Sequence, residues 1–443
     1  MTSVHGIIVG APSSGSGKTV FTLALLRALA RNGTTVASAK VGPDYIDPAF
    51  HALASGRPCL NLDLWAMRAE TVRATAARLA ADADFVVCEG VMGLFDGAAS
   101  DEGSTADLAA LSGWPVVLVV DAGAQAASAA AVVRGFATHR DDVDLAGVVF
   151  NRIGSAAHGD ILRRAIADSL PEIPVLGCIA RNDLLVLPER HLGLVQAGEH
   201  GDLDGFLDIA ADLITDQVDV AALVDLATSW QLDAAEPALP PRSPLPPLGQ
   251  RIAVADDIAF TFRYAMVIDG WRAAGAEIVP FSPIADETPG GDADAVYLPG
   301  GYPELHAGRL AGNGIFLAGL RAAAGRGARL FGECGGYMVL GRGLVDAGGT
   351  RHAMAGLLPV ETSFENGKLH LGYRRACLAG DGPLGATGMA YRGHEFHYAE
   401  VLSEGQGSPL FQCANARGDD LGASGMMDGE VMGSFVHLVD RDD

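Results

Sequence analysis

Ile7-Ile8-Val9-Gly10-Ala11-Pro12-Ser13-Ser14-Gly15-Ser16-Gly17-Lys18-Thr19 sets the architecture expected of the first half of the chain. A short apolar run leads into a loop of small residues, and Gly-Lys-Thr then opens into the helix-like segment Val20 to Arg31. That order of strand, small-residue loop and helix is the P-loop arrangement. Small side chains let the backbone N–H groups of Ser14, Gly15, Ser16 and Gly17 curl around phosphate oxygens at the positive end of a helix. Lys18 supplies a point charge, and the Thr19 hydroxyl is a ligand for Mg²⁺. One position departs from the motif: Pro12 stands where the first glycine of the loop is expected.

Outward from the loop, apolar runs alternate with helix-like segments, the pattern of a parallel α/β sheet. Ile7 to Val9, Val36 to Ser38, Phe85 to Val87, Val116 to Val120 and Val148 to Phe150 read as buried strands; Glu70 to Ala81, Ala124 to His139 and His158 to Leu170 read as helices. Strand ends in such sheets converge on a ligand crevice. Polar groups at those ends are therefore the candidates for chemistry. Asp44 and Asp47 follow the second strand, Glu89 and Asp96 follow the strand ending at Cys88, and Asn151 follows the fifth. Asp47 and Glu89 are expected to complete the metal shell with Thr19. Asp44 and Asp96 are expected nearer the acceptor, and Asn151 with Arg152 against the nucleotide base. Asp121 reads as a helix cap, and His191 as a structural histidine.

From Asp233 to Gln250 the chain reads DAAEPALPPRSPLPPLGQ, six prolines with little apolar periodicity, which marks an extended spacer. The predicted organisation is therefore a first domain over 1–232, a linker over 233–250 and a second α/β domain over 251–443. In the second domain, Arg251 to Ala255, Ile278-Val279, Ala295 to Leu298 and Arg329 to Phe331 read as strands, and Phe262 to Ala274 as a helix.

Gly332-Glu333-Cys334-Gly335-Gly336 places a cysteine between glycines where a strand meets a helix. At such an elbow the side chain stands out from a sharp turn and the helix N-terminus favours a thiolate. The N–H of Gly335 is then the first oxyanion donor, and Gly300-Gly301 after an earlier strand supplies a second, assigned to Gly301. The base must be a histidine distant in sequence. His437 is the best placed, with His394 and His397 as competitors. The segment His394-Glu395-Phe396-His397 does not have the two-ligand spacing of a helical zinc protease motif.

Composition bounds the partners. The chain has 443 residues, 49% hydrophobic, with 54 acidic and 31 basic residues and a formal charge of −23. That size and apolar content fit two or three folded domains. The acidic balance argues against nucleic acid or an anionic membrane as partner, since both need clustered Lys and Arg. Six scattered cysteines without a C-x-x-C pair, no basic-then-apolar leader and no long apolar run lead to the expectation of a cytoplasmic enzyme.

Along nearly its whole length the chain resembles the cobyrinic/hydrogenobyrinic acid a,c-diamide synthases. The likeness rests on Ala11 to Thr19, Lys40-Val-Gly-Pro-Asp-Tyr-Ile-Asp47, Glu89 to Gly97, Arg190-His-Leu-Gly193, Ala259 to Phe262, Phe281-Ser-Pro283, Gly300-Gly-Tyr-Pro-Glu304, Gly332 to Tyr337 and Gly393 to His397. Pro12 belongs to that family's form of the loop. The resemblance implies a dethiobiotin-synthetase-like P-loop amidoligase domain with a parallel sheet, fused to a class I glutaminase-like α/β domain. It implies ATP and L-glutamine as co-substrates, Mg²⁺ as cofactor, a corrinoid polycarboxylate as acceptor, and allows a homodimer. It also implies Cys334 and His437 as the glutaminase pair, Asp44 and Asp96 as acceptor-handling groups, and Lys18 and Lys40 as phosphate-stabilising cations. Arg57, Arg152, Arg181 and Arg190 are candidates for the acceptor pocket. Glutaminases of this class place Glu two residues after the histidine, but Val439 stands there and Asp440 one further on. Slow, coupled glutamine hydrolysis is the consequence expected. Cobyric acid synthase and nickel-tetrapyrrole amidases are related alternatives. A partitioning-type ATPase is disfavoured because Ser13 and Ser14 stand where its extra lysine would be.

Overall fold

Parallel strands covered on both faces read as unbroken apolar runs, because no side chain along them meets water. Val36–Val41, Cys59–Leu62 and Phe85–Glu89 are buried at every position, Lys40, Asn61 and Glu89 included. The computed structural model describes residues 2–98, 102–187, 189–190, 193–194, 197–199, 201–232 and 243–442. His191 and residues 233–242 of the predicted linker lie outside them.

The chain divides into two compact units, one of Met1–Trp65 with Ala69–Ala238, the other of Ala66–Arg68 with Leu239–Asp443. In the first unit the strands are β1 (Thr2–Gly10), β2 (Val36–Val41), β3 (Cys59–Leu62), β4 (Phe85–Glu89), β5 (Val116–Asp121), β6 (Leu145–Ile153) and β7 (Val175–Ala180). They pair in parallel in the order β3-β2-β4-β1-β5-β6-β7. A further strand, β8 (Thr228–Leu232), runs antiparallel to the first half of β1. Helices α1 (Lys18–Arg31), α2 (Asp47–Ser55), α3 (Ala69–Asp82), α4 (Thr105–Ser112), α5 (Ala129–Thr138), α6 (Ala156–Ser169) and α7 (Leu203–Gln217) connect or cover these strands. With β1, β2 and β4 adjacent and parallel, their C-terminal ends bring Gly10, Val41 and Glu89 to one edge of the sheet. The sequence-predicted helix from Ala124 begins five residues later, after turns such as Gln125 N–H to the Ala122 carbonyl (3.0 Å).

The second unit is built on one ten-stranded sheet. Its strands are β9 (Arg251–Ala255), β10 (Glu277–Phe281), β11 (Ala295–Leu298), β12 (Arg329–Glu333), β13 (His370–Leu378), β14 (Ala390–His397), β15 (Ser408–Asn415), β16 (Asp420–Asp428), β17 (Val431–Ser434) and β18 (Val436–Arg441). The order is β10-β9-β11-β12-β17-β16-β15-β13-β14-β18, parallel as far as β17 and antiparallel beyond it. Helix α8 (Ala265–Ala273) starts three residues later than the periodicity predicts. Phe262 is held in extended backbone by its N–H bond to the Gly300 carbonyl (2.9 Å). A four-stranded sheet of Gly343–Val345, Arg351–Ala353, Val360–Ser363 and Glu400–Glu404 adds to this unit. The core packs Phe260, Phe316, Leu320 and Leu330 with Tyr337 and Met338 of the elbow helix α9 (Gly335–Leu340).

Candidate active sites

At the first site the local backbone is set by glycine. Gly15 and Gly17 take φ of 79° and 93°, the left-handed region that costs other residues about 1–2 kcal/mol. Gly17 is required a second time, because a Cβ there would lie 2.1 Å from the Asn151 amide nitrogen. That amide donates to the Ser16 carbonyl at 3.0 Å, and the neighbouring Arg152 guanidinium donates to the Gly15 carbonyl at 2.8 Å and to Asp121 at 2.5 Å. The end of β6 thus holds two successive loop carbonyls, which leaves the loop N–H groups to face a ligand. Beside them lies a pocket of about 290 Å³ lined by Gly17, Asn151, Arg181, Asn182, Asp183 and Leu185, among others.

Behind the loop, four buried side chains and the half-buried Thr19 form one network. Lys40 Nζ donates to Asp47 Oδ2 (2.6 Å) and Glu89 Oε1 (2.9 Å), Thr19 Oγ1 donates to Glu89 Oε1 (2.6 Å), and His51 Nε2 donates to Glu89 Oε2 (2.6 Å). Burial works against the Glu89 charge, but Lys40 and His51 override it and hold the carboxyl well below its usual range. Burial, and then Asp44, raise Asp47 to about 6 against the pull of Lys40. Burial also disfavours charge on His51, yet Cys59 and Glu89 outweigh it and lift the ring to about 10. For Lys18, burial and then the Lys40 charge lower the ammonium pKa.

At the second site, Cys334 sits at φ 48° and ψ −104° between β12 and α9, a strained conformation for a residue with a side chain. Such strain is retained where the surroundings over-determine it. The Cys334 N–H is tied to the Ser434 carbonyl at 2.8 Å, and the nearby Gly335 N–H favours the thiolate form. Gly300 shows what faces Cys334: a Cβ there would lie 2.3 Å from His437 Cε1 and 3.3 Å from Cys334 Cβ. Cys334 and His437 therefore line the same small space. A Cβ on Gly335 would lie 3.1 Å from the Gly301 nitrogen, so the two expected oxyanion donors adjoin. Burial pushes the Cys334 thiol up, and burial with His394 and His397 nearby pushes His437 down to about 3. Both shifts disfavour charge, the reverse of the thiolate that the helix N-terminus led the sequence to suggest, because burial outweighs it.

The two halves match known families separately. Residues 7–195 match the CobQ/CobB/MinD/ParA nucleotide binding domain, and residues 251–443 the CobB/CobQ-like glutamine amidotransferase domain. Full-length similarity joins them. The chain is 53% identical over 441 residues to the hydrogenobyrinate a,c-diamide synthase of Rhizobium meliloti (strain 1021), covering 99% of both chains. It is 53% identical over 438 residues to the synthase of that name from Brucella anthropi and 52% over 445 to that from Mesorhizobium japonicum, again over 99% of each chain. This chain belongs to the hydrogenobyrinate a,c-diamide synthase family. Its nucleotide-binding and glutamine amidotransferase domains suit ATP and glutamine as co-substrates. No described helix is long and apolar enough to cross a membrane.

Within this family member the expected residues fall in distinct places. Thr19, Lys40, Asp47 and Glu89 come together in the network above, and Ser16 and Asn151 meet in the loop. Asp44 and Asp96 use a carboxylate oxygen locally: Asp44 Oδ1 accepts from the Ile46 and Asp47 N–H groups (2.8 and 3.2 Å), and Asp96 Oδ2 from Gly93 (2.9 Å). Of the arginines, Arg181 lines the pocket beside the P-loop, and Arg152 is engaged by the loop and Asp121. Arg57 precedes β3, which runs parallel to β2, and so lies at the sheet edge opposite Lys40 and Glu89. Arg190 lies in the two-residue strand Glu189–Arg190.

Among the competing histidines, His394 stands opposite His437 in the β14–β18 ladder, while His397 Nε2 contacts Glu395 Oε1 at 2.8 Å and its ring stacks on Phe435. His370, Glu395 and His397 bring ligand atoms within 4.8 Å of one another, but Glu395 is already paired with Arg374 at 2.6 Å. Asp440 directs its carboxylate to Arg68, taking the backbone N–H at 2.9 Å and the guanidinium at 2.8 and 3.0 Å.

Three participants escaped sequence reading. His51 lies four residues after Asp47, hence on the same helical face, and that spacing was its one signal. Asn61 donates to the Gly42 and Asp44 carbonyls at 2.9 and 2.6 Å and so shapes the loop carrying Asp44; nothing in its surroundings in sequence announces this. Glu333, beside Cys334, is the third.

Proposed function

We propose that this chain amidates the a and c side-chain carboxylates of hydrogenobyrinic acid, using ATP and glutamine. The observation that carries the reading is full-length kinship with the named synthases, spanning a charged P-loop network and a cysteine elbow in one chain.

A carboxylate is unreactive toward ammonia until one oxygen becomes a leaving group. In the first domain a carboxylate oxygen of the acceptor would attack the γ-phosphorus of ATP, releasing ADP and forming an acyl phosphate. Ammonia then attacks the acyl carbon and phosphate leaves. Lys18 and the loop N–H groups would stabilise charge on the phosphates, with Ser14, Gly15, Ser16 and Gly17 supplying the cradle. Lys40 orders Asp47 and Glu89. The hydroxyl and carboxylate oxygens of Thr19, Asp47 and Glu89 suit a hard divalent cation, and Glu89 is held ionised. Those three residues would hold Mg²⁺, which neutralises developing phosphate charge when bound. Asp44 and Asp96 are proposed to orient the acceptor and the incoming ammonia, each through its carboxylate.

In the second domain Cys334 would attack the glutamine side-chain carbonyl, with His437 taking the thiol proton and handing it to the departing ammonia. Gly301 and Gly335 would stabilise the oxyanion, and water then hydrolyses the thioester to glutamate. A neutral resting pair agrees with slow hydrolysis until substrate completes the site.

The test is mass gain on metal-free hydrogenobyrinic acid and, separately, on cobyrinic acid, with ATP, Mg²⁺ and glutamine. Two amides gained on the metal-free substrate is the expected result. Gain on cobyrinic acid alone would replace the substrate, and gain on neither would overturn the reading.

A further inference from the structure

The segment carrying His437 is not covered by one continuous ladder. β17 ends at Ser434 and pairs with β12, whereas β18 starts at Val436 and pairs with β14 on the far side of the sheet order. Across that break, two consecutive elbow residues grip the segment. Cys334 donates its N–H to the Ser434 carbonyl (2.8 Å), and Glu333 Oε1 accepts the Leu438 N–H (2.9 Å). The other Glu333 oxygen accepts the Tyr297 hydroxyl at 2.6 Å, which fixes the carboxylate against β11. The two bonds bracket residues 434 to 438, with His437 between them.

We propose that Glu333 is the positioning residue of the glutamine-hydrolysing site, holding the His437 backbone in register with the Cys334 elbow where other enzymes use a carboxylate on the imidazole itself. The inference rests on Cys334 and His437 being the glutaminase pair. Asp440, the nearest acid beyond the histidine, has its carboxylate oxygens on Arg68. Burial pushes Glu333 up to about 7, against the two donors that favour its charge. A buried carboxyl with a raised pKa costs stability, and a function for its acceptor geometry explains its presence. Misplacing a catalytic group by about 1 Å costs on the order of a hundredfold in rate.

The experiment uses the full-length wild type, E333A, E333Q and C334A, with glutamine-dependent and ammonium-dependent amidation measured side by side. For E333A the expected result is a fall of about 30- to 100-fold in kcat with glutamine. The glutamine KM stays within about threefold and the ammonium-dependent rate within about twofold, the pattern of a lost positioning contact. E333Q keeps an acceptor for Leu438 and should recover to within about fivefold of wild type. Should E333A fail to fold, Y297F reads the same contact from its other end, with an expected drop of about three- to tenfold in the same kcat. Wild-type kcat in E333A, or in Y297F where E333A does not fold, would overturn the proposal. So would an E333Q as impaired as E333A, or an equal loss with ammonium. If C334A retained glutamine-dependent activity, the assignment of the nucleophile would fail instead, whatever Glu333 does.

Discussion

At the P-loop, Lys40, Asp47, Glu89 and His51 are buried together in an ion-paired network, whereas at the elbow Cys334 and His437 are buried where desolvation disfavours charge on either. Each arrangement suits its substrate. A polyphosphate arrives charged, so the first site keeps fixed charges whose mutual pairing offsets desolvation. A glutamine amide arrives neutral and acquires charge only as the bond forms. The second site holds backbone strain at Cys334 beside the adjacent Gly301 and Gly335, and in the proposed mechanism its ion pair forms only during reaction. Preorganised charge and preorganised geometry are two answers to the same problem of stabilising a transition state.

The sharpest way to break the comparison is to remove one reactive group from each site. K18A should reduce amidation about a thousandfold or more with either glutamine or ammonium as nitrogen source, while C334A loses only the glutamine-dependent rate to that extent. A C334A enzyme equally dead with ammonium would show the sites are not separable.

Next comes stability. E89Q leaves Lys40 and His51 facing an uncharged amide and should cost about 3 kcal/mol in urea unfolding of the first domain. H437Q removes a neutral group and should cost about 1 kcal/mol. Equal losses would mean the elbow also carries buried charge at rest.

A smaller effect is expected at the loop. G17A adds strain of about 1–2 kcal/mol and a clash with Asn151, weakening ATP binding about tenfold. G17A/N151A relieves the clash but not the strain, so affinity should recover only in part. Full recovery would assign the whole effect to the side chain.

The last test is a pH trend. Glu333 in the fold is raised to about 7 from an unfolded value near 4.5, so its contribution to stability is intact below about pH 4.5 and is lost as pH rises through 7. The Tm of wild type relative to E333Q should therefore fall by a few degrees between about pH 5 and pH 8. A Tm difference independent of pH would mean the carboxyl does not titrate in that window.

Legibility followed burial. Five of the seven parallel strands of the first unit were readable because their centres are covered on both faces and give apolar runs, whereas β3, only four residues long, and β7 were not read although buried along most of their length. β13, β16 and Glu400–Glu404 were not readable, since most of their residues face solvent or sit half-buried and the runs never form. Among site residues, those within a local motif were legible: the P-loop and Cys334 carry their conformational demands in adjacent glycines. His51 and Glu333 were not, because what defines each is a partner far along the chain, Glu89 for one and Leu438 for the other.

The two domain types, the small-residue loop after β1 and the cysteine at a turn were already fixed by local sequence, since these depend on short-range sterics and on apolar periodicity. Tertiary structure alone decided which charges pair behind the loop, that Asp440 turns to Arg68, and that Glu333 reaches the strand of His437. Burial sets the cost of every unpaired polar atom, and only the folded chain settles which distant groups meet to satisfy one another.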